Sequence, residues 1–359
     1  MDLTAWLLRR TPIRPFVVAT PGGTSARLAV ERFVREHGWR AASSPAEANL
    51  LVVTGPHSAA LAPFIDRVWD EFPAPRARTH VGHPADALAA LHTAAKAVRD
   101  PVAQRREAEH AARVHPSPES QHSSAMSSCG AAMPAEEHHD AHHGHDMSDM
   151  EMPAMEMLGS IPMADRGPDR DGLALDRLHV PLGPALPDWP AGLIVHLVLQ
   201  GDVVQQAAVE VLDPPPLQEQ PPPLLVHRLD SCARLLSVAG WSDMAARARL
   251  LRDDVTDHPM AELAPRVRRW AAVVRRSRTL RWSLTGVGDT SAGDAVTRLH
   301  RWLDDIVATV DGGDWEDVTP QPGADGLVDL LVGTELAAAR LVVASLDLDL
   351  WAGRGGSDG

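Results

Sequence analysis

The sequence predicts two folded halves of different class. Residues 12–113 read as an α/β unit with a small parallel sheet, and residues 169–351 as an α+β unit in which a β-hairpin precedes a helical bundle. Three observations carry this. Short β-branched runs alternate with helical patterns up to about residue 113, the order that builds a parallel sheet with helices on both faces. Two β-rich runs flank Gly201-Asp202, and beyond Pro223 the apolar spacing is helical. Between the halves, residues 114–168 hold seven of the 18 histidines and eight of the 11 methionines but almost no branched aliphatics. Such a segment buries too little apolar surface to offset its ordering entropy, so a disordered His/Met-rich linker is expected there.

Phe16-Val17-Val18-Ala19-Thr20 is a short β-branched run closed by Pro21-Gly22-Gly23, a buried strand feeding a turn. Thr24 or Ser25 is the expected cap of the next helix, with Leu28, Val30, Phe33 and Val34 on its inner face. Leu50 to Gly55 is a second apolar strand, followed by a helix from about Ala62 to Phe72. Ala77 to Gly82 is a third strand, and Pro84 opens an alanine-rich helix. Ligands in such sheets bind beyond the carboxyl ends of the strands. Those ends carry Pro21-Gly22-Gly23-Thr24-Ser25, Gly55-Pro56-His57-Ser58 and Gly82-His83-Pro84, so His57 and His83 are expected to face each other. The glycine loop lacks the spacing of a dinucleotide fingerprint or a phosphate loop.

In the second half, Leu193 to Leu199 and Val203 to Val211 form the hairpin, ended by prolines at 214–216 and 221–223. Helices are expected over 224–239, 242–254, 260–284, 293–310 and 325–346, with Gly240 as the first stop. Cys232 falls on the apolar face of the first helix and reads as a small core residue. Arg266, Arg268, Arg269, Arg275, Arg276, Arg278 and Arg281 interleave with Trp270 and Trp282. A solvated face paired with Asp253, Asp254, Asp304 and Asp305 is the simplest reading, ahead of docking to an acidic partner.

The net charge of −14 argues against a nucleic-acid partner, because phosphate backbones are bound by basic faces. Lys96 is the only lysine among 34 basic residues, and tyrosine is absent. Cys129 and Cys232 cannot supply four thiolates, so no iron–sulfur cluster is expected. The first ten residues lack the pattern of a signal peptide, and no run of about 18 apolar residues exists. A cytoplasmic protein without a transmembrane segment is expected.

Residues Ala48 to Pro56 and Leu61 to Arg76 resemble the B-type (20 kDa) subunit of respiratory complex I and the related small subunit of nickel–iron hydrogenases. In that family an apolar strand ends in a T/G loop, and an "AP…R…YDQMPEP" helix and turn follow. Gly82-His83-Pro84-Ala85-Asp86-Ala87-Leu88 is similar to its G-C-P-P-x-x-E-A-L, whose cysteine ligates the terminal cluster. The resemblance implies a flavodoxin-like sheet, with His83 at a degenerate cluster position. The second half resembles the D-type (49 kDa) subunit and the hydrogenase large subunit. Gly183-Pro184-Ala185-Leu186-Pro187 is similar to the family's G-P-Q-H-P, and Leu199 to Val204 to its L-x-G-D/E-x-V hairpin turn. Arg228 to Leu236 is similar to its R-I-x-S-H-L-L helix. Leu186 and Ala191 or Pro190 stand where the family has its hairpin histidines, the quinone-site tyrosine has no counterpart, and the metal-holding CxxC pairs are missing.

A fusion of B-like and D-like halves without redox ligands is expected to be a non-catalytic accessory or assembly subunit. Its partners would be the other subunits of a complex I-like or hydrogenase-like assembly, with the chain peripheral to any membrane part. Two alternatives stand beside it: an oxidoreductase subunit whose partners supply the cofactors, and a metal-handling protein. For the latter, His138, His139, His142, His143 and His145, followed by Met147, Met150, Met152, Met155 and Met157, are the candidate ligands. Imidazole and thioether suit copper, and imidazole also suits nickel and zinc.

Overall fold

A computed structural model describes residues 3–114, 166–168, 174–212, 222–313 and 324–348. The first half is built on three parallel strands, β1 (Pro15–Ala19), β2 (Leu50–Thr54) and β3 (Ala77–Val81), in the order β1-β2-β3. Helices α2 (Thr24–Glu36) and α4 (Ala87–Arg99) cover one face, where Leu50 and Val52 share a core with Val30, Phe33 and Leu91. Helix α3 (Ala62–Asp70) covers the other, where Leu51 and Val53 share a core with Leu61 and Ile65. Alternate residues of β2 therefore feed two cores, and all five positions are buried. Helices α1 (Leu3–Arg9) and α5 (Pro101–Val114) flank α4.

The strand order differs from the flavodoxin-like 2-1-3-4-5 arrangement, in which the first strand lies between the second and the third. Composition explains the difference. β2 is continuously apolar, whereas β1 begins at Pro15, which cannot donate to a ladder, and β3 carries Arg78, Thr79 and His80. The proline-led strand and the polar strand take the edges. The two crossovers step the same way across the sheet yet place α2 and α3 on opposite faces, so they are of opposite hand. One of them departs from the usual right-handed connection. The helix after β1 is preceded by Gly23, with no side-chain cap bond, so neither Thr24 nor Ser25 takes the capping place.

The second half contains a four-stranded antiparallel sheet, β4 (Arg166–Pro168), β5 (Ala174–Leu182), β6 (Leu193–Gln200) and β7 (Val203–Val211). The expected hairpin is β6–β7, and two further strands extend it. Leu193, Val195, Leu197 and Leu199 share a core with α11 (Ala324–Leu331) and α12 (Leu336–Leu346). Helices α6 (Leu224–Val238), α7 (Ser242–Asp257), α8 (Met260–Arg276), α9 (Arg278–Leu284) and α10 (Ala295–Val310) enclose Leu229, Cys232, Leu236, Trp270, Trp302 and Ile306. Each of the two longest expected helices is split. Ser277 leaves helical geometry and its Oγ accepts from the Leu280 N–H at 3.2 Å, starting α9. Gly333, with φ of 84°, separates α11 from α12.

The halves share a core rather than standing apart. Phe16, Val18 and Leu51 of the first sheet lie in one apolar cluster with Ala185, Ile194 and Leu212 of the second half. At this end β6 is buried on both faces, with Leu193, Ile194 and Val195 all covered.

Candidate functional site

At the carboxyl edge of the parallel sheet, the loops after β1 and β2 touch backbone to backbone. The Thr20 N–H and Oγ1 both donate to the Thr54 carbonyl, at 2.9 and 3.0 Å. A Cβ on Gly23 would lie 2.3 Å from that carbonyl, and Gly55 adopts φ of 102° against Gly23. The first two loops thus close on each other, with no gap for a phosphate between them. Gly55→Ala is expected to lower stability by at least about 1–3 kcal/mol, because both the positive φ and the Gly23 backbone oppose a side chain. Urea unfolding measures this, and an unchanged midpoint would refute the close approach.

His57 does not meet His83 at this edge; it stacks on His80 of β3, with ring centroids 4.0 Å apart and an interplanar angle of 16°. His80 lies within β3, whereas His83 lies beyond its end, before the next turn. The His80 ring bonds the Gly55 backbone, and its Nε2 is buried without a hydrogen-bond partner. Burial, aided by His57, lowers the His80 pKa. His83 is exposed and precedes the short turn at Pro84–Asp86. Leu186 and Ala191 are half-buried, and Leu186 packs beside the sheet core.

The densest polar constellation lies where α2 meets α6 and α7. Arg27, Glu31 and Arg35 recur every fourth residue and so share one face of α2. Arg27 grips both oxygens of Asp230, at 2.6 and 3.3 Å. Arg252, the largest fully buried side chain among the described residues, bonds Glu31 at 2.9 Å, and also Asp230 and Asp253. Arg35 pairs with Asp253, and Arg249 with Asp188 at 2.6 Å. Through Arg234 the network continues to Asp347, at 2.9 Å, which also accepts from Ser231, Arg228 and His227 at 2.6, 3.1 and 2.8 Å. Arg228 reaches Asp305 at 3.3 Å.

Six guanidinium groups (Arg27, Arg35, Arg228, Arg234, Arg249 and Arg252) thus meet six carboxylates (Glu31, Asp188, Asp230, Asp253, Asp305 and Asp347). Burial would raise the carboxylates, but the surrounding arginines win. Arg27 and Arg252 hold Glu31 down at about 2 and Asp230 well below the usual range. His227 and Arg234 do the same for Asp347. For Arg35, burial and the Arg252 charge lower the guanidinium pKa to about 10. Burial pushes the Cys232 thiol up, so it stays protonated within the helical core.

Sequence reasoning missed this network, although Arg228, Asp230 and Arg234 on an otherwise apolar helix were its signal. Three arginines of the Arg-rich stretch form ion pairs: Arg266 with Asp254 at 2.6 Å and Arg275 with Asp304, as expected, and Arg268 with Asp311. Asp253 and Asp305 instead belong to the buried network. His196 is exposed on β6 and bonds Glu210 across the hairpin at 3.0 Å.

The candidate metal ligands His138, His139, His142, His143, His145, Met147, Met150, Met152, Met155 and Met157 lie outside the described residues. Among the described residues, no three His, Cys, Asp or Glu side chains group as a metal site, and no helix is long and apolar enough to cross a membrane. No protein-family model matches the chain, and neither curated proteins nor solved structures yield a match.

Proposed function

We propose that the chain is a non-catalytic accessory or assembly subunit of a complex I-like or nickel–iron-hydrogenase-like oxidoreductase. One observation carries the reading. The helix that resembles the D-type R-I-x-S-H-L-L motif commits Arg228, Asp230, Ser231 and Arg234 to bonds inside the protein, and Asp230 ties it to α2 of the B-like half. In a redox subunit, polar groups at the junction of these two modules would serve a cluster or quinone; here they serve cohesion. Leu186, Ala191 and His83 at the resembling ligand positions agree with a structural role.

The test is purification of the tagged chain from its native host, with its partners identified by mass spectrometry. Subunits of a complex I-like or hydrogenase-like enzyme should co-purify in stoichiometric amounts. Deletion of the chain should lower the assembled enzyme's activity, while the isolated chain neither oxidises NADH nor consumes hydrogen. Catalysis by the isolated chain, or absence of such subunits from the purified material, would overturn the proposal.

A further inference from the structure

Helices α1, α2 and α4 end around one cleft of about 540 Å³, within the range of small-molecule sites. Its walls carry Arg9, Lys96 and Arg99, and the rings of His37, Trp39 and His92. We infer that this cleft binds a planar aromatic ligand bearing a negative charge, the rings receiving its flat part and the cations its anionic group.

The rings form one assembly over buried Phe33. His37 stacks on Phe33 with centroids 3.8 Å apart at 16°, which covers one face of the imidazole. Trp39 and His92 each meet the Phe33 edge at 5.2 Å, and His37 and His92 stand 5.4 Å apart. Phe33 is 4% exposed, whereas Trp39 is half-buried and His37 and His92 are exposed. The rings are thus backed by a core residue and open to the cleft. Stacking on such rings tolerates any π-face.

The cations are notable for what surrounds them. In a chain of charge −14, Arg9, Lys96 and Arg99 form no ion pair among the described residues. Asp100 lies in the cleft, but one of its oxygens accepts the Val102 N–H at 2.9 Å. A competing role is to neutralise the helix ends where these cations sit. The last carbonyls of α2 are, however, already bonded by the N–H groups of His37, Gly38 and Trp39, and that of Ala97 by Gln104. Arg99 uses Nε on the Thr11 carbonyl at 3.2 Å, a bond that holds the wall in place. Lys96, the only lysine of the chain, is exposed and makes no hydrogen bond or ion pair among the described residues.

Calorimetric titration of the full chain with AMP and with 2-naphthoate tests the site, with adenosine and inorganic phosphate as controls. At least one of the two ring-bearing anions should bind with a dissociation constant below about 1 mM, and at least tenfold more tightly than adenosine or phosphate. Lys96→Gln and Trp39→Leu should each weaken that binding tenfold or more. Trp39 contacts the core, so the parent protein supplies a second measurement. Acetylation of the single lysine amine, read by peptide mass spectrometry, should be slowed by the binding probe and not by adenosine. Failure of both probes to bind, equal binding of adenosine or phosphate, or full affinity in Lys96→Gln overturns the inference.

Discussion

Arg252→Met is expected to destabilise the protein by about 3–5 kcal/mol, the cost of removing one partner from a buried ion pair. The side chain of Arg252 is 1% exposed and binds Glu31, Asp230 and Asp253 together. Methionine restores much of the volume but leaves five guanidiniums against six carboxylates, with Asp230 almost fully buried among them. Attraction within the network is not the source of the loss; the uncompensated carboxylate is. Adding Glu31→Gln to the same chain restores charge balance and should recover on the order of 1 kcal/mol or more. Arg32→Met is the contrast. Its partners Glu36 and Asp257 lie at the solvent-exposed margin of the same interface, and an exposed pair is worth about 0–1 kcal/mol. Urea midpoints for the variants decide the matter, and equal losses for Arg252→Met and Arg32→Met would refute the account.

How far the fold could be read from the sequence follows from which force sets each element. Leu50 to Val53 is a continuous apolar run and can only be a strand covered on both faces, which it is. The β6–β7 hairpin was legible because Gly201 supplies the positive φ its turn requires. Strand order was less legible, since it depends on competition among strands for the centre and not on any one of them. The ion network was hidden for a related reason. Arg27, Glu31 and Arg35 look like the solvated stripe of an amphipathic helix, and only the presence of Asp230 and Arg252 opposite makes the stripe internal. Charge at helical spacing gives periodicity but not environment. Cys232 was read correctly because a small apolar residue on an apolar helix face has one common fate. The His57–His80 stack needed the register of β3, which a weak polar strand does not announce.

Cohesion between the halves is expected to weaken in acid and to survive salt. The apolar cluster around Phe16, Ile194 and Leu212 holds at any pH, so the pH dependence belongs to the carboxylates. Glu31 is held at about 2 and Asp230 well below its usual value, whereas both regain ordinary values near 4 once exposed. A depressed folded-state pKa stabilises the folded form above the unfolded pKa, and that stabilisation is lost as pH falls through the folded one. The window is therefore from about pH 4.5 down to about 2. A protease site placed within residues 115–165 would convert the chain into two fragments. These should co-elute on gel filtration at pH 7, also in about 0.5 M salt, because buried pairs are screened little. Between pH 4.5 and 2 their association should weaken at least tenfold, since one pKa unit corresponds to a tenfold change in equilibrium. Arg35 titrates only near 10, so no comparable loss is expected between pH 5 and 9. Fragments that separate at pH 7, or that stay equally associated at pH 2.5, would show that the network does not join the halves.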